Sequence, residues 1–275
     1  MDKSVKVSII VENSVYKQGF ISEHGYSVLI EKNGEKVLFD TGQGQCLLNN
    51  LDMFGCDVAD IDVVALSHNH YDHTGGILPL INAKQTLPMF YMHPDVYKPC
   101  YSKRGDNVRS IGLSNELLDL FKDNPNNITL TPNVTEISSG IYLSGTIDCS
   151  SVVRTDHFYS DMDAKKENLI LDDQFIFIES ERGVVLVTGC CHTGIIPTIS
   201  YLKTLTQKSI IGIIGGFHLI HATDSQVEEI IEVLKKEKLE FIVPLHCTGK
   251  VATARIAASL GDRCKLLAVS DSIEF

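Results

Sequence analysis

The apolar run Val63-Val64-Ala65-Leu66 passes without a break into Ser67-His68-Asn69-His70-Tyr71-Asp72-His73-Thr74-Gly75-Gly76. A buried strand must therefore end where three imidazoles and a carboxylate begin. Imidazole nitrogen and carboxylate oxygen are ligands for zinc, iron or manganese. Side chains alternate along an extended chain, so His68 and His70 point to the same side. The backbone must then turn, and Asp72 and His73 can face a second ion from the turn and the start of a helix. The two glycines allow a tight turn and a close backbone approach.

The rest of the chain has a rhythm that fits such a strand. Lys6 to Glu12 alternates. Tyr26 to Glu31 and Lys36 to Phe39 flank Asn33-Gly34, a strong hairpin signal. A helix is expected from Cys46 to Phe54 and another from Gly75 to Asn82, with Thr74 as its cap. Met89 to Met92 reads as a strand. From about residue 94 to 166 the pattern weakens into a polar, loop-rich stretch with one helix, Ser114 to Lys122. A loop region of this length in an enzyme is often functional, and here it is expected to cover a substrate. Rhythm returns with a hairpin of Gln174 to Glu181 and Val184 to Thr188, and a helix from Ile196 to Leu205. Strand Ile210 to Ile214 follows, then the amphipathic helix Gln226 to Lys238 with Val227, Ile230, Ile231 and Leu234 on one face. Strand Phe241 to Leu245, helix Val251 to Leu260 and a last strand, Lys265 to Val269, end the chain. Each half begins with strands and then alternates strands with helices, and there is no repeat or linker. The expectation is one α/β domain (α+β by some schemes), a four-layer αββα sandwich of two mixed sheets flanked by helices.

Charge narrows the partners. The 275 residues carry a formal net charge of −11, whereas a protein that follows a phosphate backbone needs a broad basic surface. Nucleic acid is not expected, and a small molecule fits better. Eight cysteines, including the pair Cys190-Cys191, do not form a disulfide framework in a chain this long. The first residues show no signal-peptide core, and no apolar stretch is long enough to span a bilayer. A reduced, cytoplasmic protein without a membrane partner is expected; association as a homodimer is left open. The Asn-X-Thr matches at Asn127 and Asn133 then carry no meaning.

The His68–His73 segment resembles the His-X-His-X-Asp-His signature of the metallo-β-lactamase superfamily. Val37-Leu38-Phe39-Asp40-Thr41-Gly42 is similar to the early strand-Asp-Thr-Gly motif of that superfamily, in which the aspartate supports the metal site from behind. Three later blocks, around His192 (Thr188-Gly189-Cys190-Cys191-His192-Thr193-Gly194), His218 (Gly215-Gly216-Phe217-His218-Leu219) and His246 (Pro244-Leu245-His246-Cys247-Thr248-Gly249), resemble one branch. That branch is labelled dihydropterin-methyl-ribofuranosylaminobenzene-phosphate synthase, and Glu23-His24-Gly25-Tyr26-Ser27 looks like it too. The resemblance implies the metallo-β-lactamase fold and two divalent ions, zinc in the first place, iron or manganese as alternatives. His68, His70 and His192 would hold one ion, and Asp72, His73 and His246 the other, with a metal-bridged hydroxide as nucleophile. Asp72 would hold the nucleophile or accept its proton, and His218 would contact substrate or act as an acid. One departure stands out. Many members place a bridging aspartate where this chain has Cys190. Cys190 or Cys191 as a thiolate, Asp172-Asp173, or two small buried residues with no ligand role remain open there.

Lys98, Lys103, Arg104 and Arg109 face a single acid, Asp106, with Tyr97 and Tyr101 interleaved. Arginine beside tyrosine suits phosphate or carboxylate, so Tyr101, Lys103, Arg104 and His218 are the expected substrate contacts, with a solvated loop as the plain alternative. Arg154 and Lys165-Lys166 are weaker candidates. The expected function is hydrolysis of a small anionic substrate, a phosphoester or phosphodiester. The alternatives are a pterin-linked synthase step, a di-iron redox protein with an external partner, and a non-catalytic metal or ligand sensor.

Overall fold

The computed structural model describes residues 4–147 and 157–275. Two mixed sheets face each other. The first runs in the order Ser272–Glu274, Lys6–Val11, Ser27–Lys32, Glu35–Phe39, Val63–Ala65, Met89–Met92, Ile128–Leu130. Its first four strands are antiparallel, and from Glu35–Phe39 onward the pairing is parallel. The second runs Phe241–Pro244, Ile210–Gly215, Val184–Thr188, Ile176–Glu179, Ile141–Leu143, Thr135–Ser138, parallel among the first three and antiparallel after them.

Alternation explains the layers. Val28, Ile30, Val37, Phe39 and Ala65 point inward, where they meet Ile176, Ile178, Val185, Val187, Ile214 and Val243 of the second sheet. Leu29, Leu38, Val64 and Phe90 point the other way, onto helices Leu47–Met53, Ile77–Lys84 and Asn115–Asp123. Leu186, Ile213 and Ile242 likewise meet helices Ile195–Leu205, Asp224–Lys236 and Lys250–Leu260. Both faces of each sheet are covered, which is why the strands read as near-continuous apolar runs. Asn33 and Gly34 both take positive φ, 56° and 88°, as the tight hairpin demands.

Four expectations are corrected. Thr74 caps nothing: it ends a short helix, Tyr71–Thr74, and its hydroxyl donates to the His70 carbonyl at 3.1 Å, while the next helix starts at Ile77. Lys265 to Val269 is not a strand but a connector that leaves the second sheet. The last strand is Ser272–Glu274, on the edge of the first sheet beside Lys6–Val11. The stretch 94–166 is not uniformly loop-rich. Helix Asn115–Asp123 and strands Ile128–Leu130, Thr135–Ser138 and Ile141–Leu143 belong to the sandwich itself. A separate small sheet, ordered Glu167–Asn168, Phe158–Tyr159, Tyr101–Arg104, Asn107–Ser110, stands apart from it. The amphipathic helix begins at Asp224, two residues before its expected start, because Thr223 and Gln226 close a capping box.

Candidate metal centre

In both sheets the parallel strands end at the same rim. Glu35–Phe39 delivers Asp40, and Val63–Ala65 delivers Ser67, His68 and His70. Val184–Thr188 delivers Cys190 and His192, Ile210–Gly215 delivers His218, and Phe241–Pro244 delivers His246 and Cys247. The carboxyl ends of parallel strands are where α/β sheets place their ligands.

Three of these side chains form the first cluster. The ligand atoms of His68, His70 and His192 lie within 4.8 Å of one another, and the Nε2 atoms of His68 and His192 are 3.3 Å apart. All three rings are buried. Burial, followed by neighbouring histidines, pushes His68 and His192 well below the usual imidazole range. Burial also lowers His70, to about 3, against the pull of Asp72. Neutral imidazoles turned toward one point are what a divalent cation requires.

A second cluster unites His24, Asp72 and His246. Asp72 Oδ2 lies 3.1 Å from His24 Nε2 and 3.5 Å from His246 Nε2. Burial opposes ionisation of Asp72, but the His24 hydrogen bond and the surrounding imidazoles hold its carboxyl well below the usual range. The same hydrogen bond raises the exposed His24. His246 is held from its own side: Glu12 Oε1 accepts from its backbone N–H at 2.8 Å, and its Nδ1 lies 3.1 Å from Asn13 Oδ1.

His73 stands between the clusters. Its Nδ1 meets Asp40 Oδ2 at 2.7 Å, and its Nε2 lies 3.2 Å from Cys190 Sγ. Burial works against charge on His73, but the Asp40 carboxylate outweighs it and raises the ring to about 9. Asp40 also accepts from Ser67 N–H (2.7 Å) and Ser67 Oγ (2.6 Å), and Ser67 Oγ touches His68 Nδ1 at 2.8 Å. One carboxylate thus orients His73 directly and His68 through a hydroxyl, an outer arrangement typical of metal sites. Gly189 lets the second sheet approach this network. A Cβ there would lie 2.2 Å from Ser67 Oγ and 3.0 Å from Asp40 Oδ2. Asp40, Cys191, His218 and His246 adopt left-handed backbone with φ between 49° and 62°, a cost that proteins tolerate where a site needs it.

The structure draws together most of the residues singled out from sequence, in a somewhat different grouping. Asp72 and His246 are joined by His24, while His73 shares a group with His68 and Cys190. His24, Glu12, Asn13 and Ser67 were not expected at the centre. Only the Glu23–Ser27 block hinted at His24. His218 packs on His192 at 4.2 Å between ring centroids and forms a group with Cys190 and Cys247. The cysteine pair divides. Cys190 faces the cluster, while Cys191 Sγ turns to Thr198 Oγ1 at 3.3 Å.

Asp172 and Asp173 do not replace the bridging carboxylate. Asp172 accepts from Asn69 N–H and Asp173 from Thr193 N–H, each at 2.8 Å, pinning the backbone beside His70 and His192. Burial raises Asp172 to about 7 despite its backbone hydrogen bonds. A raised folded-state pKa means that its stabilising contribution is complete below the unfolded value, about 3.9, and is lost as pH rises through about 7. The variant Asp172→Asn should therefore gain stability relative to the native chain as pH climbs from 4 to 8, on the order of 4 kcal/mol. Parallel melting curves across that range would refute this.

Over the first cluster lies the small sheet. Phe158 packs on His70 at 4.9 Å and His192 at 5.2 Å. Phe158 pairs with Ser102, and Ser102 with Arg109, so these three share one face. Arg109 stacks over Tyr71 with its guanidinium carbon 5.2 Å from the ring centroid and donates to the Tyr71 hydroxyl at 3.2 Å. Arg104 alternates with Ser102 onto that same face, whereas Tyr101 and Lys103 occupy the opposite one. Arg109 is the member of the basic cluster that reaches the His68–His73 segment, through Tyr71. Lys165 pairs with Asp163 at 3.0 Å on the surface; Arg154 lies outside the described residues. No helix among the described residues is long and apolar enough to cross a membrane.

Comparison with known proteins agrees with this geometry. The sequence family described as the metallo-beta-lactamase superfamily matches residues 23–121. An uncharacterized protein of Methanocaldococcus jannaschii, MJ0448, is 32% identical over 254 residues, covering 91% of this chain and 93% of that protein. The 7,8-dihydropterin-6-methyl-4-(beta-D-ribofuranosyl)-aminobenzene-5'-phosphate synthase of the same organism is 29% identical over 260 residues, covering 90% of this chain and 88% of the synthase. Among solved structures, Tm1679, described as a metal-dependent hydrolase of the β-lactamase superfamily, superposes with a TM-score of 0.85. It is 27% identical, covering 98% of this chain and 99% of that one. A four-layer sandwich with these clusters at the shared rim, and relatives of this extent, place the chain in the metallo-β-lactamase superfamily.

Proposed function

We propose that this protein is a metal-dependent hydrolase of a small anionic phosphoester or phosphodiester. The observation that carries the proposal is the convergence of two donor clusters, His68–His70–His192 and His24–Asp72–His246, on either side of the Asp40–His73 pair. Five imidazoles, four of them buried, and one ionised carboxylate are a suitable donor set for two divalent ions. Such ions supply Lewis acidity toward a phosphoryl oxygen and a water of lowered pKa.

The chain's own groups provide the rest. Asp72 stays ionised and can hold an attacking water through its Oδ2. His24, half open to solvent beside Asp72, completes the second donor set at the outer edge of the site. Phe158 excludes water from above His70 and His192. Arg109, fixed against Tyr71, offers its remaining N–H groups to the substrate's anion. Hydrolysis then adds water across the P–O ester bond, leaving a phosphate group and an alcohol.

The test is a panel of phosphomonoesters and phosphodiesters with protein loaded in turn with zinc, manganese or iron. Turnover that requires metal and is lost in Asp72→Asn supports the reading; silence of a fully loaded protein across the panel overturns it. Arg109→Ala is expected to lower kcat/KM on the order of tenfold through KM, the worth of one charge-assisted hydrogen bond at a partly exposed site. An unchanged KM would remove Arg109 from the substrate. The similarity to the synthase across nearly the whole chain favours a second reading, a step on a pterin-linked or ribose-phosphate substrate. Turnover of such a compound, with simple phosphoesters inert, would put that reading first.

A further inference from the structure

We infer that Cys190, His218 and Cys247 form a further metal position, a two-sulfur, one-nitrogen set that takes a thiophilic ion such as zinc. The Sγ atoms of the two cysteines and a ring nitrogen of His218 lie within 4.8 Å of one another. Each follows the end of one of three neighbouring parallel strands, Val184–Thr188, Ile210–Gly215 and Phe241–Pro244. The topology, rather than a chance fold of one loop, brings them together.

The loops that carry them are tied to each other. Gly216 N–H donates to the Gly189 carbonyl at 2.9 Å, and Leu219 and Ile220 N–H to the Cys247 carbonyl at 3.0 and 3.2 Å. Phe217 N–H donates to Thr248 Oγ1 at 3.0 Å. A Cβ on Gly216 would lie 2.6 Å from Cys247 Sγ and 3.3 Å from Cys190 Cα, so only a hydrogen fits beside the sulfurs. The two cysteines are 4% and 7% exposed, while His218 is half-buried and leaves a way in from solvent. Cys191 serves as an internal control. It is adjacent to Cys190 and equally buried, yet its sulfur turns away to Thr198.

Two sulfurs and an imidazole at this spacing match the softer end of zinc chemistry, three protein ligands with room for a fourth. Each ligating thiol would release one proton to solvent on binding. Cys190 also lies within 4.8 Å of the ligand atoms of His68 and His73, so this ion would sit beside the first cluster. The assignment gives His218 to a metal instead of to the substrate. It does not depend on the hydrolytic reading, because it concerns which atoms hold an ion and not what is turned over.

The experiment is titration of the metal-free full chain with Co2+ under a phosphine reductant. Cobalt bound by sulfur gives a near-ultraviolet charge-transfer band, while visible bands report cobalt in any site. The expected result is a charge-transfer band that is lost in Cys247→Ser and Cys190→Ser and unchanged in Cys191→Ser. Visible bands should persist in Cys247→Ser. His218→Ala, a milder change at a half-buried position, should weaken the ion that gives the sulfur band by about tenfold or more. Visible bands without any sulfur band in the native chain would overturn the inference and leave the proposed hydrolase intact. A sulfur band that survives both serine variants would also overturn it. Absence of all cobalt bands would overturn both.

Discussion

Replacing His192 by alanine is expected to leave a folded protein that holds one ion fewer per chain. Turnover should fall by more than about 100-fold, the upper end of what losing an outer partner alone costs. His192 is the member of the first cluster that comes from the second sheet; His68 and His70 both follow Val63–Ala65 of the first. Without it, one side of the cluster carries no donor, and no other side chain among the described residues groups with His68 and His70 there. The ring is buried but makes its contacts with other imidazoles and Phe158, so its loss opens a small cavity and leaves no charge stranded. Metal analysis beside kinetics decides the matter. Native metal content and native turnover in the variant would remove His192 from the centre.

Asp40→Ala is expected to do more damage, and of a different kind. The carboxylate touches no substrate, yet it orients His73, Ser67 and, through Ser67, His68. Its loss should weaken metal binding by about 10- to 100-fold. It should also destabilise the metal-free protein by about 3–5 kcal/mol, because a buried imidazolium loses its partner. The sign with pH follows from His73. Its folded-state pKa, about 9, lies above the ordinary value of 6.5. The stabilisation it contributes is therefore complete below pH 6.5 and is lost as pH rises through about 9. The gap between native and variant melting temperatures should accordingly be widest in mild acid and shrink toward pH 9–10. A gap that is constant with pH would mean that Asp40 acts by packing alone.

The strands and helices were legible because both faces of each sheet are buried, so apolar runs mark strands and Asn33-Gly34 marks a hairpin. The His68–His73 segment was legible as a candidate metal site because residue type and spacing lie within a few positions. What escaped the sequence was long-range. Glu12 and Asn13 look like the polar end of a strand until His246, more than 230 residues away, is seen resting on them. His24 gains its partner only when Asp72 is folded against it. Asp172 and Asp173 suggest ligands by composition, but backbone N–H groups claim both. Alternation around the small sheet puts Arg104 and Arg109 on one face and Tyr101 and Lys103 on the other, and that register could not be read before its strand partners were known.

The edge strand Ser272–Glu274 lies against Lys6–Val11, and its placement sets an order of events on the ribosome. Lys6–Val11 must wait for Ser272–Glu274, made long after it, before that edge of the sheet is paired. His246 and its supports, Glu12 and Asn13, are separated by the same delay. During synthesis the early strands present an unpaired edge, the kind of surface that invites pairing with another nascent chain. The donor clusters, drawing on both sheets, are assembled only after His246 has been made. Any loading of these clusters with metal would thus follow the synthesis of His246, and supply of the ion during synthesis should give no more active protein than supply after it.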